Sequence, residues 1–148
     1  MTHQAQIYYA KIMLFGEYSV IKNSMALTVP YGHFNGELSY IFDSKYTNYD
    51  FARASNLKLY NLLGYLKKLQ HQKRLMSNLN IQAFAEDLNN GMYFESSIPE
   101  GYGIGSSGAL LAALYDKYSE DKPDPEEMNS KDMVDLKNLL AQLESYYH

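Results

Sequence analysis

The chain has 148 residues, the size of a single domain, and its 46% hydrophobic and 20% charged residues are typical of a globular protein. Its net charge of −4 argues against a nonspecific nucleic-acid-binding protein, which would normally carry a basic face. The absence of cysteine excludes disulfides, zinc–thiolate sites, iron–sulfur clusters and cysteine nucleophiles. Tyrosine is unusually frequent, at 15 residues.

The apolar runs are too short to span a bilayer. The main candidate, residues 7–15, is interrupted by Lys11. The polar residues 1–6 lack the basic region of a signal peptide. We therefore expect a soluble cytoplasmic protein that contacts neither membranes nor nucleic acids.

The first half of the chain predicts three strands and one helix. Residues 7–15 are rich in branched and aromatic side chains and form the first strand. Residues 25–29, ended by Pro30, form the second, and residues 36–42 form the third. After a polar loop at 43–50, apolar residues recur at helical spacing over 51–70, with Asp50 as the expected N-cap.

The second half predicts a hairpin followed by two helices. Residues 80–88 and 91–98 are expected to be strands, because the intervening Asn89-Asn90-Gly91 is typical of a hairpin turn. A glycine-rich loop at 99–108 leads into a helix at 109–118, and a charged loop at 119–131 follows. The last helix, 132–147, is capped by Asn129 or Ser130 and has one apolar face, made of Met133, Leu136, Leu140, Leu143 and Tyr147. This order of elements predicts an α+β domain.

The glycine-rich loop, PEGYGIGSSG, has the composition of an anion site. Glycines allow tight turns that present N–H groups, and the following helix adds the positive end of its dipole. The Walker A pattern fails because Ser106, not lysine, follows Gly105. Gly103, Gly105 and Gly108 match the dinucleotide-binding pattern G-x-G-x-x-G. The parallel strand that this motif requires before the glycines is absent from the predicted elements. The alternative is a structural turn before a serine-capped helix.

Lys11 is the second candidate for a functional site, because it is a charged residue inside the first predicted apolar strand. A charged ammonium there needs an anionic partner or a route to solvent. The alternative is a lysine that protects an edge strand from aggregation.

Two segments together resemble a known family. AKIMLFGEYSVIKNSMALTVPY, residues 10–31, resembles the first motif of mevalonate kinases, and IPEGYGIGSSGALLAALY, residues 98–115, looks like the phosphate-binding motif of the GHMP kinase superfamily. The resemblance implies that residues 1–148 form an N-terminal ATP-binding domain with an α+β fold like domain 2 of ribosomal protein S5. It also implies ATP and Mg²⁺ as cofactors and a mevalonate-like hydroxyl compound as substrate.

The resemblance also implies roles for individual residues. Lys11 matches the lysine near the reacting phosphoryl group. Glu17 and Tyr18 match substrate-binding positions, although mevalonate kinases carry histidine at the second, which leaves the substrate open. The ATP-phosphate loop corresponds to Gly101, Gly103, Ile104, Gly105, Ser106, Ser107 and Gly108.

The same resemblance extends to the last helix and the metal. In LESYYH, residues 143–148, Glu144 corresponds to a magnesium ligand, with Ser107 as the more favoured of the two serines. The alternative for Glu144 is an ordinary surface glutamate. The family's catalytic aspartate is expected a few residues after His148, so we expect the polypeptide alone to be a truncated portion with little kinase turnover. The surface that faced the missing part would favour a homodimer or a swapped oligomer.

Two other functions remain open from the sequence. One is a noncatalytic nucleotide- or anion-binding module, and the other is an interaction domain that uses its many tyrosines. Binding of Mg²⁺–ATP distinguishes the interaction domain, which predicts none, from the other two.

Overall fold

A computed structural model describes residues 6–16, 25–42, 48–76 and 78–147. These residues form an α+β fold in which one three-stranded antiparallel sheet packs against helices. The strands are β1 (Tyr8–Phe15), β2 (Leu27–Tyr40) and β3 (Met92–Ser96), in the sheet order β1-β2-β3. The helices are α1 (Tyr49–His71), α2 (Ile81–Asn89), α3 (Ser106–Tyr118) and α4 (Ser130–Glu144).

The second and third predicted strands are wrong as separate elements, because both belong to the single strand β2. Pro30 lies inside it and is paired with Lys11 of β1. The N–H of Lys11 donates to the glycine-rich loop and so points away from β2. In an antiparallel pair this makes Pro30 face away from β1 as well. β3 pairs only with Gly36–Tyr40, so proline costs no ladder hydrogen bond here.

The predicted hairpin is also wrong. Residues 80–88 are not a strand: they contribute to α2, whose first turn is capped by the Asn80 side chain accepting from Ala83 N–H at 2.9 Å. Ile81, Phe84 and Leu88 lie at helical spacing and are buried. Gly91, with φ of 84°, ends this helix instead of turning a hairpin.

The other helices follow the predictions with shifted ends. α1 is capped by Asn48 and not by Asp50, which lies in its first turn. α3 begins at Ser106, three residues before the predicted start. α4 has the expected Asn129 cap, now with a capping box, but it ends at Glu144 and not at Tyr147. Its fully buried residues are Leu139 and Leu143, whereas the predicted Met133 is 58% exposed.

The main core lies between α1, α2, α3, α4 and β3, and it is built largely of leucine. Its most buried members, at 2% exposure or less, are Leu59, Leu62, Phe84, Leu88, Met92, Leu111, Leu139 and Leu143. Burying each such side chain contributes about 1.5–3 kcal/mol. A smaller cluster under the glycine-rich loop consists of Ala10, Phe94, Ile98, Ala109 and Ala113. This second cluster fixes β1, β3 and α3 next to one another.

Side chains of α1 cover the open edge of β3. Ser55 Oγ donates to the Phe94 carbonyl at 2.9 Å and accepts from the Phe94 N–H at 3.1 Å. Asn56 donates to the carbonyls of Met92 and Leu88 at 2.6 and 3.2 Å. Ser55 and Asn56 of α1 therefore satisfy backbone groups of Met92 and Phe94 that an edge strand would otherwise leave unpaired.

None of the helices within the described residues has both the length and the apolar character needed to cross a bilayer.

Candidate functional site

Lys11 contacts the glycine-rich loop through both its backbone and its side chain. Its N–H donates a 2.9 Å hydrogen bond to the carbonyl of Ile104. A Cβ built on Gly105 would lie 2.9 Å from Lys11 Cγ and 3.2 Å from Cε. The lysine stem therefore crosses this glycine, and the ammonium, which is bonded to Cε, lies near the start of α3. β1 is an edge strand and Lys11 is exposed on it, so the structure also fits the alternative of a lysine that protects an edge strand from aggregation.

The first turn of α3 is capped differently from those of the other helices. Asn48, Asn80 and Asn129 accept backbone N–H groups at the starts of α1, α2 and α4. The N-cap of α3 is Gly105, with φ of 87°, and no side chain of the described residues caps this turn. The serine cap in the structural-turn alternative is therefore wrong, whereas the structural turn itself is not contradicted. Helix N-terminal N–H groups that lack such a cap favour an anionic acceptor.

Ser107 and Glu144 meet at the start of α3, although 37 residues separate them in the chain. Ser107 Oγ donates a 2.5 Å hydrogen bond to Glu144 Oε1. Glu144 is the last residue of α4 and is half-buried. The capping box at Asn129 fixes the other end of this helix, so the position of Glu144 is set by a well-defined element.

Further residues that the sequence analysis did not select hold the start of the loop. Lys58 of α1 forms an ion pair with Glu100 at 2.9 Å, on an exposed surface. Burial raises the pKa of the Tyr147 phenol, and the nearby Tyr146, Glu144 and Glu100 raise it further. The Tyr147 ring lies edge-on to that of Tyr146, with ring centroids 5.0 Å apart, just after the end of α4. The position of Tyr147, three residues after Glu144, is the only sequence signal that places it near the site. Nothing in the sequence indicates that Lys58 lies there.

The remaining predicted residues fall into two groups. The loop positions Gly101, Gly103, Ile104, Ser106 and Gly108 all lie between the end of β3 and the first turn of α3. Glu17 and Tyr18, predicted to bind substrate, lie outside the described residues.

The oxygen atoms of Ser107 and Glu144 fit the donor preference of Mg²⁺. In the part of the chain that the structure describes, no group of three or more His, Cys, Asp or Glu side chains could hold a metal. Mg²⁺ nevertheless binds commonly through one or two protein oxygens, with waters and substrate phosphates completing its shell. The pair is thus suited to a metal that arrives with a phosphate ligand and not to a closed structural site.

A separate surface depression of about 460 Å³ lies between the end of α1 and the start of α2. Its lining includes Lys73, Asn78, Asn80 and Glu120 and shares no residue with the glycine-rich loop. These polar side chains are exposed. The depression lacks the convergence of lysine, uncapped helix start and serine–carboxylate pair that marks the loop.

Comparisons of the chain with protein-family models, with curated proteins and with solved structures find no match. A function is therefore proposed from the loop geometry and the sequence motifs alone.

Proposed function

We propose that this chain binds the triphosphate of Mg²⁺–ATP at its glycine-rich loop and acts as the nucleotide-binding domain of a mevalonate-kinase-like enzyme of the GHMP superfamily. Its fold would then be the one found in domain 2 of ribosomal protein S5. The observation that carries the proposal is the convergence of three features at the start of α3. They are the lysine stem on Gly105, the first turn without a side-chain cap and the Ser107–Glu144 hydrogen bond.

Each feature has a separate part in phosphoryl transfer, where catalysis depends mainly on positioning and charge neutralisation. The N–H groups of the loop and of the first turn of α3 donate hydrogen bonds to the phosphate oxygens. The Lys11 ammonium offsets negative charge on the transferred group. Ser107 and Glu144 would hold Mg²⁺, which supplies charge neutralisation between phosphate oxygens when bound.

The first test is calorimetric titration of the protein with Mg²⁺–ATP. Wild-type protein is expected to bind, and Lys11→Met is expected to weaken binding at least about tenfold, because a charge-assisted contact contributes about 1.5–3 kcal/mol. Lys67→Met is the matched control, since Lys67 is exposed on α1 and belongs to no part of the site. Equal affinities of Lys11→Met and Lys67→Met for Mg²⁺–ATP would show that Lys11 does not belong to the site.

The second test concerns the metal. Glu144→Gln keeps an oxygen that can accept from Ser107 but removes the negative charge. We expect it to abolish most of the affinity that Mg²⁺ adds to ATP binding, while binding of metal-free ATP stays the same or improves. A loss of the same size with and without Mg²⁺ would contradict the metal role of Glu144.

Two other functions are distinguished by the same titrations. A noncatalytic anion-binding module is favoured if tripolyphosphate and ATP bind and no transfer of the γ-phosphoryl group to a mevalonate-like acceptor is detected. An interaction domain is favoured if neither ligand binds. The acceptor proposed here is a small mevalonate-like hydroxyl compound, consistent with the first sequence motif.

A further inference from the structure

Tyr102, in the middle of the glycine-rich loop, exposes 78% of its surface. Among the described residues its ring has no aromatic neighbour and its hydroxyl has no hydrogen-bond partner. Many other tyrosines of the chain have such partners: Tyr8, Tyr40, Tyr60, Tyr65 and Tyr118 all do. Tyr102 therefore contributes little to the packing of the described residues, and a large aromatic ring is held out in solvent beside the proposed phosphate site.

The backbone on both sides of Tyr102 holds this ring away from the body of the protein. Gly101 and Gly103 have φ values of 82° and 70°, in the left-handed region that favours glycine. A Cβ built on either glycine meets nothing within 4 Å. This contrasts with Gly105, where Lys11 fills the space. The space beside Gly101 and Gly103 is therefore open.

The ends of the loop are fixed, while the two glycines between them border open space. Before it, Ile98 is 4% exposed in the smaller core cluster. After it, the Ile104 carbonyl is bonded to Lys11 and the Ile104 side chain packs on the same cluster. A rotation of 101–103 can therefore move the phenol ring without disturbing the first turn of α3. Short loop segments between fixed ends commonly close over ligands in this way.

We infer that Tyr102 closes over the nucleoside of the bound nucleotide and stacks on its base, so that this loop distinguishes a nucleoside triphosphate from a bare polyphosphate. The inference rests on the proposed nucleotide site. Backbone N–H groups and Lys11 recognise phosphate alone and are indifferent to what the phosphate carries. A flat, exposed aromatic ring on a two-glycine tether at the same site is the group suited to bind a flat heterocycle.

The test compares Mg²⁺–ATP with Mg²⁺–tripolyphosphate by calorimetry. Tyr102→Ala is expected to weaken ATP binding about tenfold, the effect typical of a lost base–aromatic stack, and to leave tripolyphosphate binding unchanged. Tyr102→Phe keeps the ring and should bind both ligands as the wild type does. Tyr49→Ala is the control, because Tyr49 is also exposed but lies at the start of α1.

A fluorescence experiment follows the ring directly, since the chain contains no tryptophan. Tyr102→Trp places a single tryptophan in the loop. Its emission should change on addition of Mg²⁺–ATP and stay constant with tripolyphosphate. An unchanged ATP affinity in Tyr102→Ala, or equal losses for both ligands, would overturn the role of Tyr102 while leaving the phosphate site intact. If neither ligand binds the wild type, the proposed function fails and this inference fails with it.

Discussion

The contact between Lys11 and Gly105 can be measured through stability alone, without any ligand. Gly105→Ala and Gly101→Ala both place a side chain at φ above 80°, which costs about 1–2 kcal/mol. Only at position 105 does the new Cβ also meet a neighbour, Lys11 Cγ at 2.9 Å. Displacing that stem adds about 1 kcal/mol, the lower end of the usual overpacking cost. We therefore expect Gly105→Ala to destabilise the protein more than Gly101→Ala.

The assay is urea unfolding followed by circular dichroism. With a denaturant slope of about 2 kcal/mol per molar, the extra cost lowers the midpoint of Gly105→Ala about 0.5 M below that of Gly101→Ala. Repeating both substitutions on a Lys11→Ala background removes the stem, and the difference between them should then disappear. Equal midpoints on the wild-type background, or a difference that survives Lys11→Ala, would refute the packing of Lys11 on the loop.

Three further predictions concern the scaffold, and each is checked by urea midpoints. Gly108→Ala should stabilise the protein by about 0.5–1 kcal/mol, because a Cβ there meets nothing within 4 Å and alanine favours helix; a lower midpoint would contradict this. Ser55→Ala should cost about 1–3 kcal/mol, since it leaves the Phe94 N–H and carbonyl without their partner, whereas Ser130→Ala on the exposed start of α4 should cost little. Asp87→Asn should lower stability at pH 7, and the loss should become smaller as the pH falls through the lowered pKa of the Asp87 carboxyl; a loss that does not change as the pH falls would count against it.

The sign of the Asp87 prediction follows from its surroundings. Burial alone raises the pKa of this carboxyl, but hydrogen bonds from Tyr118, Lys117 and Tyr40 outweigh burial and hold the pKa below its usual value. The Tyr118 hydroxyl donates at 2.6 Å, and the Lys117 ammonium lies 3.0 Å away. A carboxyl with a lowered pKa in the folded state stabilises the protein above its unfolded pKa. That contribution is lost as the pH falls through the folded value.

Several candidate residues selected from the sequence lie close together in the structure, whereas the predicted division of the sheet into strands was wrong. The glycine-rich loop, Lys11 and Glu144 are distant in the chain, yet the structure brings them together at one helix start. Long periodic segments such as α1 and α4 were also recognised, because apolar spacing reports directly on which face is buried. Their ends shifted because caps depend on local hydrogen bonds, as the use of Asn48 and not Asp50 shows.

The short helix α2 was missed because a hairpin turn and a helix end have the same local sequence signal. A left-handed glycine after asparagine serves both a hairpin and the end of a helix, so Gly91 did not distinguish them. The helical spacing of Ile81, Phe84 and Leu88 did favour a helix and outweighs the turn signal in the structure. Proline normally ends a central strand, but Pro30 is tolerated inside β2 because β3 pairs only with Gly36–Tyr40 and leaves the other edge of β2 open at residue 30.

Four of the 15 tyrosines have a structural role that composition alone could not show. Phenol hydroxyls join elements that are distant in the chain, as in Tyr8 with Asp116, Tyr60 with Asn89, and Tyr40 and Tyr118 with Asp87. Tyrosine suits this purpose because its ring can pack on apolar neighbours while its hydroxyl reaches a polar partner. An interaction surface is not needed to account for these residues.

The most direct test of the proposed phosphate site is a nuclear magnetic resonance titration of ¹⁵N-labelled protein with Mg²⁺–ATP. The account predicts that the largest amide shifts occur in residues 103–109, where the loop enters α3, together with Lys11. The depression between α1 and α2, at residues 78–82, should remain unchanged. Shifts centred on that depression, or no shifts at saturating nucleotide, would contradict the assignment of the glycine-rich loop as the nucleotide site.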